Sequence, residues 1–138
     1  MTKYCTKVLD GTVDGKTTLD PEDDAATQIM GGNWRMPTQT DFQELIDNTT
    51  NKWVEDFNGS GVSGMKFTGS NGNSIFIPNS GYREGSSFNF QGNRAAVWSS
   101  SLSKNTSTHA FHLIFRSGFI SADATGIRYC GMVVRGVL

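Results

Sequence analysis

Apolar and polar positions alternate most cleanly over residues 108–116, where Phe111, Leu113 and Phe115 share one parity and His112, Ile114 and Arg116 the other. Successive side chains of an extended strand leave on opposite faces, so this stretch predicts one face that packs and one that stays available. Phe111, at the strand's start, can serve either. A Ser117-Gly118 turn follows, then a short strand over 119–122, a loop through Gly126 and a last extended stretch over 127–137. Upstream, residues 65–68 and 74–77 are short strand-like runs joined by a Gly/Ser/Asn turn. Asn71-Gly72 predicts a hairpin there, because both residues tolerate positive φ. Residues 81–92 read as a loop rich in Gly and Ser that carries Tyr82, Arg83, Phe88 and Phe90.

Helical signals are confined to the first third. In Asp20-Pro21-Glu22-Asp23-Asp24, Asp20 can cap, Pro21 suits the first helical position and three acids meet the positive end of the dipole. This predicts a helix through Ala25, Ala26, Ile29 and Met30, ended by Gly31-Gly32. Thr38 and Asp41 form a T-x-x-D capping box, with Phe42, Leu45 and Ile46 on the face behind it. After the polar run 47–51 the pattern turns to strands. Near the start, Asp10-Gly11 and Asp14-Gly15 flank Thr12-Val13 and predict a small hairpin or loop. Two helices followed by short antiparallel strands and long loops define an α+β fold over a single domain, residues 1–138.

Composition narrows the function classes. A chain of 138 residues can bury about two-thirds of its unfolded surface, and 11% aromatic residues supply bulky core material despite an apolar share of only 36%. The net charge of −1 provides no basic field for nucleic-acid phosphate or anionic lipid. No apolar run approaches the roughly 20 residues of a membrane helix, and Met1-Thr2-Lys3-Tyr4 begins no export signal. Cys5 and Cys130 sit near opposite ends without CxxC spacing, which points to two unpaired thiols; a bridge between the ends stays open.

Candidate chemistry is thin. His109 and His112 lie three apart, on opposite faces of a strand, and make a poor metal pair. Ser99, Ser100 and Ser101 lack a G-x-S-x-G elbow and read as providers of turns and backbone hydrogen bonds. Neither cysteine has a flanking signature of a nucleophile, and no Gly-rich stretch continues into GK[ST]. The acids at 20–24 admit a metal site, but helix-start chemistry accounts for each of them. Asp10, Asp14 and Asp20 do not follow calcium-loop spacing. No cofactor and no enzymatic activity are expected.

The last third instead interleaves ordinary framework residues (Ala110, Leu113, Phe115, Gly118, Ile120, Gly131, Val134) with side chains of no common character. A catalytic site needs a few specific groups, whereas a binding face needs many assorted ones. Several motifs come in series: Leu19-Asp20-Pro21-Glu22-Asp23-Asp24-Ala25-Ala26, Gly32-Asn33-Trp34-Arg35-Met36-Pro37-Thr38, and Asn71-Gly72-Asn73-Ser74-Ile75-Phe76-Ile77-Pro78. Gly81-Tyr82-Arg83, Trp98-Ser99-Ser100-Ser101 and Val134-Arg135 complete it. Over nearly its whole length the chain thereby resembles the Fibrobacter succinogenes major paralogous domain family of Bacteroides-group bacteria and their phages. The resemblance implies a C-type lectin-like fold and, as in some members, a variable protein of a diversity-generating retroelement.

The implied variable region is 94–135. Ala110, Leu113, Phe115, Ser117, Gly118, Arg128, Gly131, Val134 and Arg135 would be scaffold. The implied ligand-binding positions are Arg94, Ala96, Val97, His109, Phe111, His112, Ile114, Arg116, Phe119, Ser121, Asp123, Thr125, Ile127, Tyr129, Cys130 and Met132. The implied partner is a protein or glycan on a microbial surface, with no nucleic acid and no membrane insertion, displayed on a cell or phage particle. Gly136 stands where the family leads one to expect proline. Calcium-lectin motifs are absent from the C-terminal half, which disfavours calcium-dependent sugar recognition. The alternatives are a static adhesive module of a cell-surface protein and an enzyme like the formylglycine-generating enzymes, against which the lone, separated cysteines argue.

Overall fold

The computed structural model describes residues 1–90 and 92–138. Two short helices and eight strands make a mixed α+β architecture in which every strand ladder is antiparallel. Helix α1 (Ala25–Met30) begins one turn later than the sequence signals suggest, because its cap is Asp24 and not Asp20. The Asp24 carboxylate accepts from Thr27 N at 3.0 Å and from Met36 N at 2.9 and 3.0 Å, so one buried group starts the helix and holds the next segment. Gly31 at φ 69° ends the helix as expected. Its apolar residues Ile29 and Met30 are exposed, and only Ala26 is buried.

Helix α2 (Gln39–Asn48) carries the anticipated capping box: Thr38 accepts from Asp41 N, and the Asp41 carboxylate accepts from Thr38 N at 2.7 Å. Arg35 grips the same carboxylate at 2.6 and 3.3 Å, holding Asp41 down at a pKa of about 2. Phe42 is buried, with Leu45 and Ile46 packed beside it.

The polar stretch after α2 is itself a strand, β1 (Thr49–Val54), which the sequence reading passed over. Its polarity fits an edge strand with one partner, β2 (Gly64–Gly69), which pairs on its other side with β3 (Ser74–Pro78). The β2–β3 turn is the expected one: Gly72 has φ 82°, and the Asn71 side chain accepts from Asn73 N. Within the stretch expected to be loop lies a small hairpin, β4 (Tyr82–Glu84) and β5 (Ser87–Asn89), turning at Gly85 with φ 58°. Gln91, in the same predicted loop, lies outside the described residues.

The third sheet orders β6 (Ala95–Leu102), β7 (His109–Arg116) and β8 (Phe119–Ile127). β8 runs straight through the predicted loop at Gly126, and residues 128–138 form isolated bridges instead of a long strand. Trp98 to Ser101 belong to β6, so the serines are not turn residues; the expected backbone hydrogen bonds are nevertheless there. At the register shift between Trp98 and Leu102, Ser99 Oγ donates to Phe111 O at 2.8 Å and Ser101 Oγ accepts from Gln39 N at 3.0 Å. Ser100 N donates to Pro37 O at 2.8 Å. A serine-rich bulge thus docks β6 onto the start of α2.

One core joins the two larger sheets and α2. Phe42, Met65, Phe67, Ile77, Val97, Leu113, Phe115 and Ala122 are all buried in it, and Phe67 meets Phe115 edge to face with centroids 6.3 Å apart. Tyr4, Leu102 and Ala110 form a smaller cluster under the N-terminal segment. That segment has no hairpin. It forms a 3-10 turn at Val8–Asp10 and then a loop, in which Asp14 accepts from the amides of Tyr4, Cys5 and Lys16. Cys5 and Cys130 are both free thiols, the first buried and the second partly so. Among the described residues, no helix is long and apolar enough to cross a membrane.

Candidate ligand-binding groove

The strand alternation read from the sequence divides the β6–β7–β8 sheet. Leu113 and Phe115 enter the core, while His112, Ile114 and Arg116 point the other way, as the parity predicted. Cross-strand pairing carries this second face sideways: Ile114 pairs with Ala96 and Ser121, and Arg116 pairs with Phe119. A register shift between His112 and Ile114 sets Ala122 and Asp123 against the single residue Leu113, which flips the parity of β8 beyond it. Ala124 therefore lies opposite His112 on the same face.

A wall rises over this face. The chain after β8 returns along the sheet edge, with Trp98 N donating to Val133 O at 2.9 Å and Trp98 Nε1 to Cys130 O at 3.2 Å. Gly131 then exchanges two 2.7 Å backbone hydrogen bonds with Arg83, bringing the β4–β5 hairpin alongside. Between hairpin, returning chain and sheet lies an open groove of about 320 Å³. Gly126 makes its floor close-packed: a Cβ there would come within 2.8 Å of Met132 Cε, which would have to move, and 3.3 Å of the Trp98 and His112 rings.

Of the residues anticipated as contacts, Arg94, Ala96, His112, Ile114, Thr125, Ile127, Cys130 and Met132 line this groove. Arg116, Phe119 and Ser121 continue the same face toward the β7–β8 turn, and Tyr129 stands on the rim with its hydroxyl donating to Glu84 at 3.2 Å. Four lie elsewhere. Val97 is wholly buried in the core, so it offers no contact. Phe111 shares the parity of Leu113 and faces away from the groove, half-buried. Asp123, displaced by the bulge, accepts from Gln39 Nε2 of α2 at 2.8 Å, and His109 at the strand start pairs with Thr108 Oγ1.

His112 also departs from expectation, being only 6% exposed, not an accessible polar residue. Its ring sits edge-on to Trp98 with centroids 5.8 Å apart, and among the described residues the buried Nδ1 finds no hydrogen-bond partner. Burial alone depresses its pKa from 6.5 to about 4. The unfolded chain binds the proton near pH 6.5 and the folded chain only near 4, so stability is intact above pH 6.5 and falls between those values. The expected loss is on the order of 2–3 kcal/mol between pH 7 and 4. Denaturant titrations across that range should show it, and His112→Leu should flatten the profile; an unchanged slope would mean that another group titrates.

The sequence reading missed the contribution of β4 and β5. Tyr82 and Glu84 line the groove beside Arg94, and the exposed Phe90 packs against Tyr82 and Arg94. The signal was present as a density of Arg and aromatic residues in a Gly/Ser stretch, but only the pairing of Arg83 with Gly131 brings it here.

The groove offers recognition groups more than reactive ones. Burial and the nearby Glu84 raise the pKa of the Cys130 thiol, the reverse of what an attacking thiolate requires. Outside the groove, Asp20, Glu22 and Asp23 bring ligand atoms within 4.8 Å of one another. The Lys3 ammonium already sits among them, 3.2 Å from Asp20, 3.1 Å from Glu22 and bonded to Asp23, whose other partner is the Tyr4 hydroxyl. The acids therefore gather a lysine instead of opening the helix. Neither a protein-family model, nor a curated protein, nor a solved structure matches this chain.

Proposed function

We propose that this chain is a ligand-binding domain of C-type lectin-like fold, a retroelement-diversified variable protein whose groove face meets a ligand on a microbial surface. The observation that carries the reading is a segregation. Residues interleaved along the last third separate in space, with Leu113, Phe115 and Ala122 behind the sheet and most of the assorted side chains before it. Such a face can change its side chains without unfolding the domain, since exposed substitutions typically shift stability by less than about 0.5 kcal/mol. Exposed Phe119 and Tyr129 with Arg116 are the residue types that dominate binding hot spots.

The triple variant Arg116→Ala, Phe119→Ala, Tyr129→Ala should lose capture of ligands selected from random-peptide libraries and microbial glycan arrays, with its melting temperature nearly unchanged. Undiminished capture would remove the groove from the binding role. Diversification has its own test in the flanking DNA: a reverse transcriptase gene and a template repeat differing from residues 94–135 at adenines are expected. Their absence would leave a static binding module.

A further inference from the structure

We propose that the groove takes an acidic polypeptide segment, with a carboxylate held between Arg94 and Arg116 and an apolar side chain on the floor formed by Ile114 and Met132. This deepens the binding reading above and rests on it. Two arginines stand on the groove face, each against a phenylalanine: Arg94, in the groove lining, over Phe90 at 4.5 Å, and Arg116, further along the same face, over Phe119 at 5.6 Å. Among the described residues, neither guanidinium group makes a hydrogen bond or an ion pair. Two arginines elsewhere are engaged, Arg35 by Asp41 and Arg128 by the carbonyls of Tyr4 and Ser107. A guanidinium resting on an aromatic ring keeps its N–H edge free while losing conformational freedom in advance. That is the preorganisation a bidentate carboxylate contact needs.

Arg94 directly precedes β6, and extending the pairing of Ala96 with Ile114 and Ala95 with Phe115 by one residue brings it toward Arg116. Like charges facing each other across a ladder are unfavourable, and an anion between them turns repulsion into two attractions. Glu84, the acid on the groove wall, accepts from the Tyr129 hydroxyl and keeps its charge, so Arg94 and Arg116 outweigh it by one positive charge. The excess is local, because the whole chain carries −1.

Polypeptide is favoured over acidic polysaccharide by the floor. Ala124, Ile114, Ile127 and Met132, backed by the 1%-exposed Ala96, offer side-chain carbon where sugar hydroxyls would need hydrogen-bond partners. An aliphatic or aromatic side chain buries there without that penalty. Nucleic acid lacks support from a chain with no net positive field.

Selection of a random-peptide library against the intact protein tests the inference, with affinities of the selected peptides then measured by fluorescence anisotropy at low and high salt. Asp or Glu adjacent to a large apolar residue should be enriched. Affinity should fall about tenfold or more in the Arg94→Ala, Arg116→Ala variant, one charge-assisted pair's worth, and should weaken with salt. The melting temperature of that variant should hold or rise, since a repulsion is removed.

Peptides without acidic enrichment, retained by the double arginine variant but lost by Phe119→Ala, Tyr129→Ala, would sink the acidic inference and leave the binding reading standing. Arg94-dependent retention of polygalacturonate without peptide binding would overturn the polypeptide assignment. If neither probe depends on any groove residue, the binding reading itself falls.

Discussion

Phe115→Ala is expected to destabilise the protein by about 3–5 kcal/mol, whereas Phe119→Ala, just across the β-turn, should cost no more than about 1 kcal/mol. Phe115 is fully buried where β7 meets β2 and α2, and it holds Phe67 edge to face. Removing it leaves a cavity that a close-packed interior fills only partly. Phe119 is 45% exposed, and what it chiefly loses is the Arg116 guanidinium resting on its ring. Urea denaturation of the two variants, at constant m-value, should separate them by several kcal/mol. Comparable losses would place Phe119 in the core and take it out of the ligand-facing set.

Asp24→Ala should cost on the order of 3 kcal/mol, lowering the melting temperature by roughly 10 °C. Asp24 is 4% exposed and its carboxylate satisfies two backbone amides, Thr27 N and Met36 N. Alanine would leave both donors short of a partner, and a buried unpaired donor costs more than its hydrogen bond contributes. The effect should also travel, because Met36 leads to Pro37, whose carbonyl accepts from Ser100 N in the β6 bulge. Amide hydrogen exchange at Thr27, Met36 and Ser100 should accelerate together. Asp24→Asn keeps an acceptor and should recover part of the loss; if it matched alanine, charge and not cap geometry would be the source.

Legibility in the sequence follows the range of the interaction. The Thr38–Asp41 box, the Asn71-Gly72 turn, the Gly31 stop and the parity of β7 were readable because each depends on residues within four positions and on fixed backbone periods. Asp20 was mistaken for a cap because it and Asp24 have the same local credentials. Only the distant Met36 amide and the Lys3 ammonium distinguish their roles. β1 was overlooked because Thr49-Thr50-Asn51-Lys52 has no apolar alternation, and its strand character comes from pairing with β2.

For the candidate site the division is similar. Most anticipated contacts share one face, yet Val97 and Asp123 do not. Val97 occupies the core parity of β6, and the bulge at Ala122 and Asp123 turns the latter toward α2. His112 was assigned to the correct face but with the wrong exposure, since alternation says nothing of the Trp98 ring and the returning chain that cover it.

By itself, then, the sequence determined the helix caps, the hairpin turn and the two-faced character of β7, because short-range spacing and backbone geometry suffice for these. Tertiary structure alone decided that the face becomes a groove. Its wall depends on Gly131 pairing with Arg83 and Val133 with Val97, contacts between residues far apart in the chain. Long-range pairing gains its free energy from burial and backbone hydrogen bonds that no local pattern encodes. The place of Arg94 beside Tyr82 and Glu84 in the groove belongs to that second category.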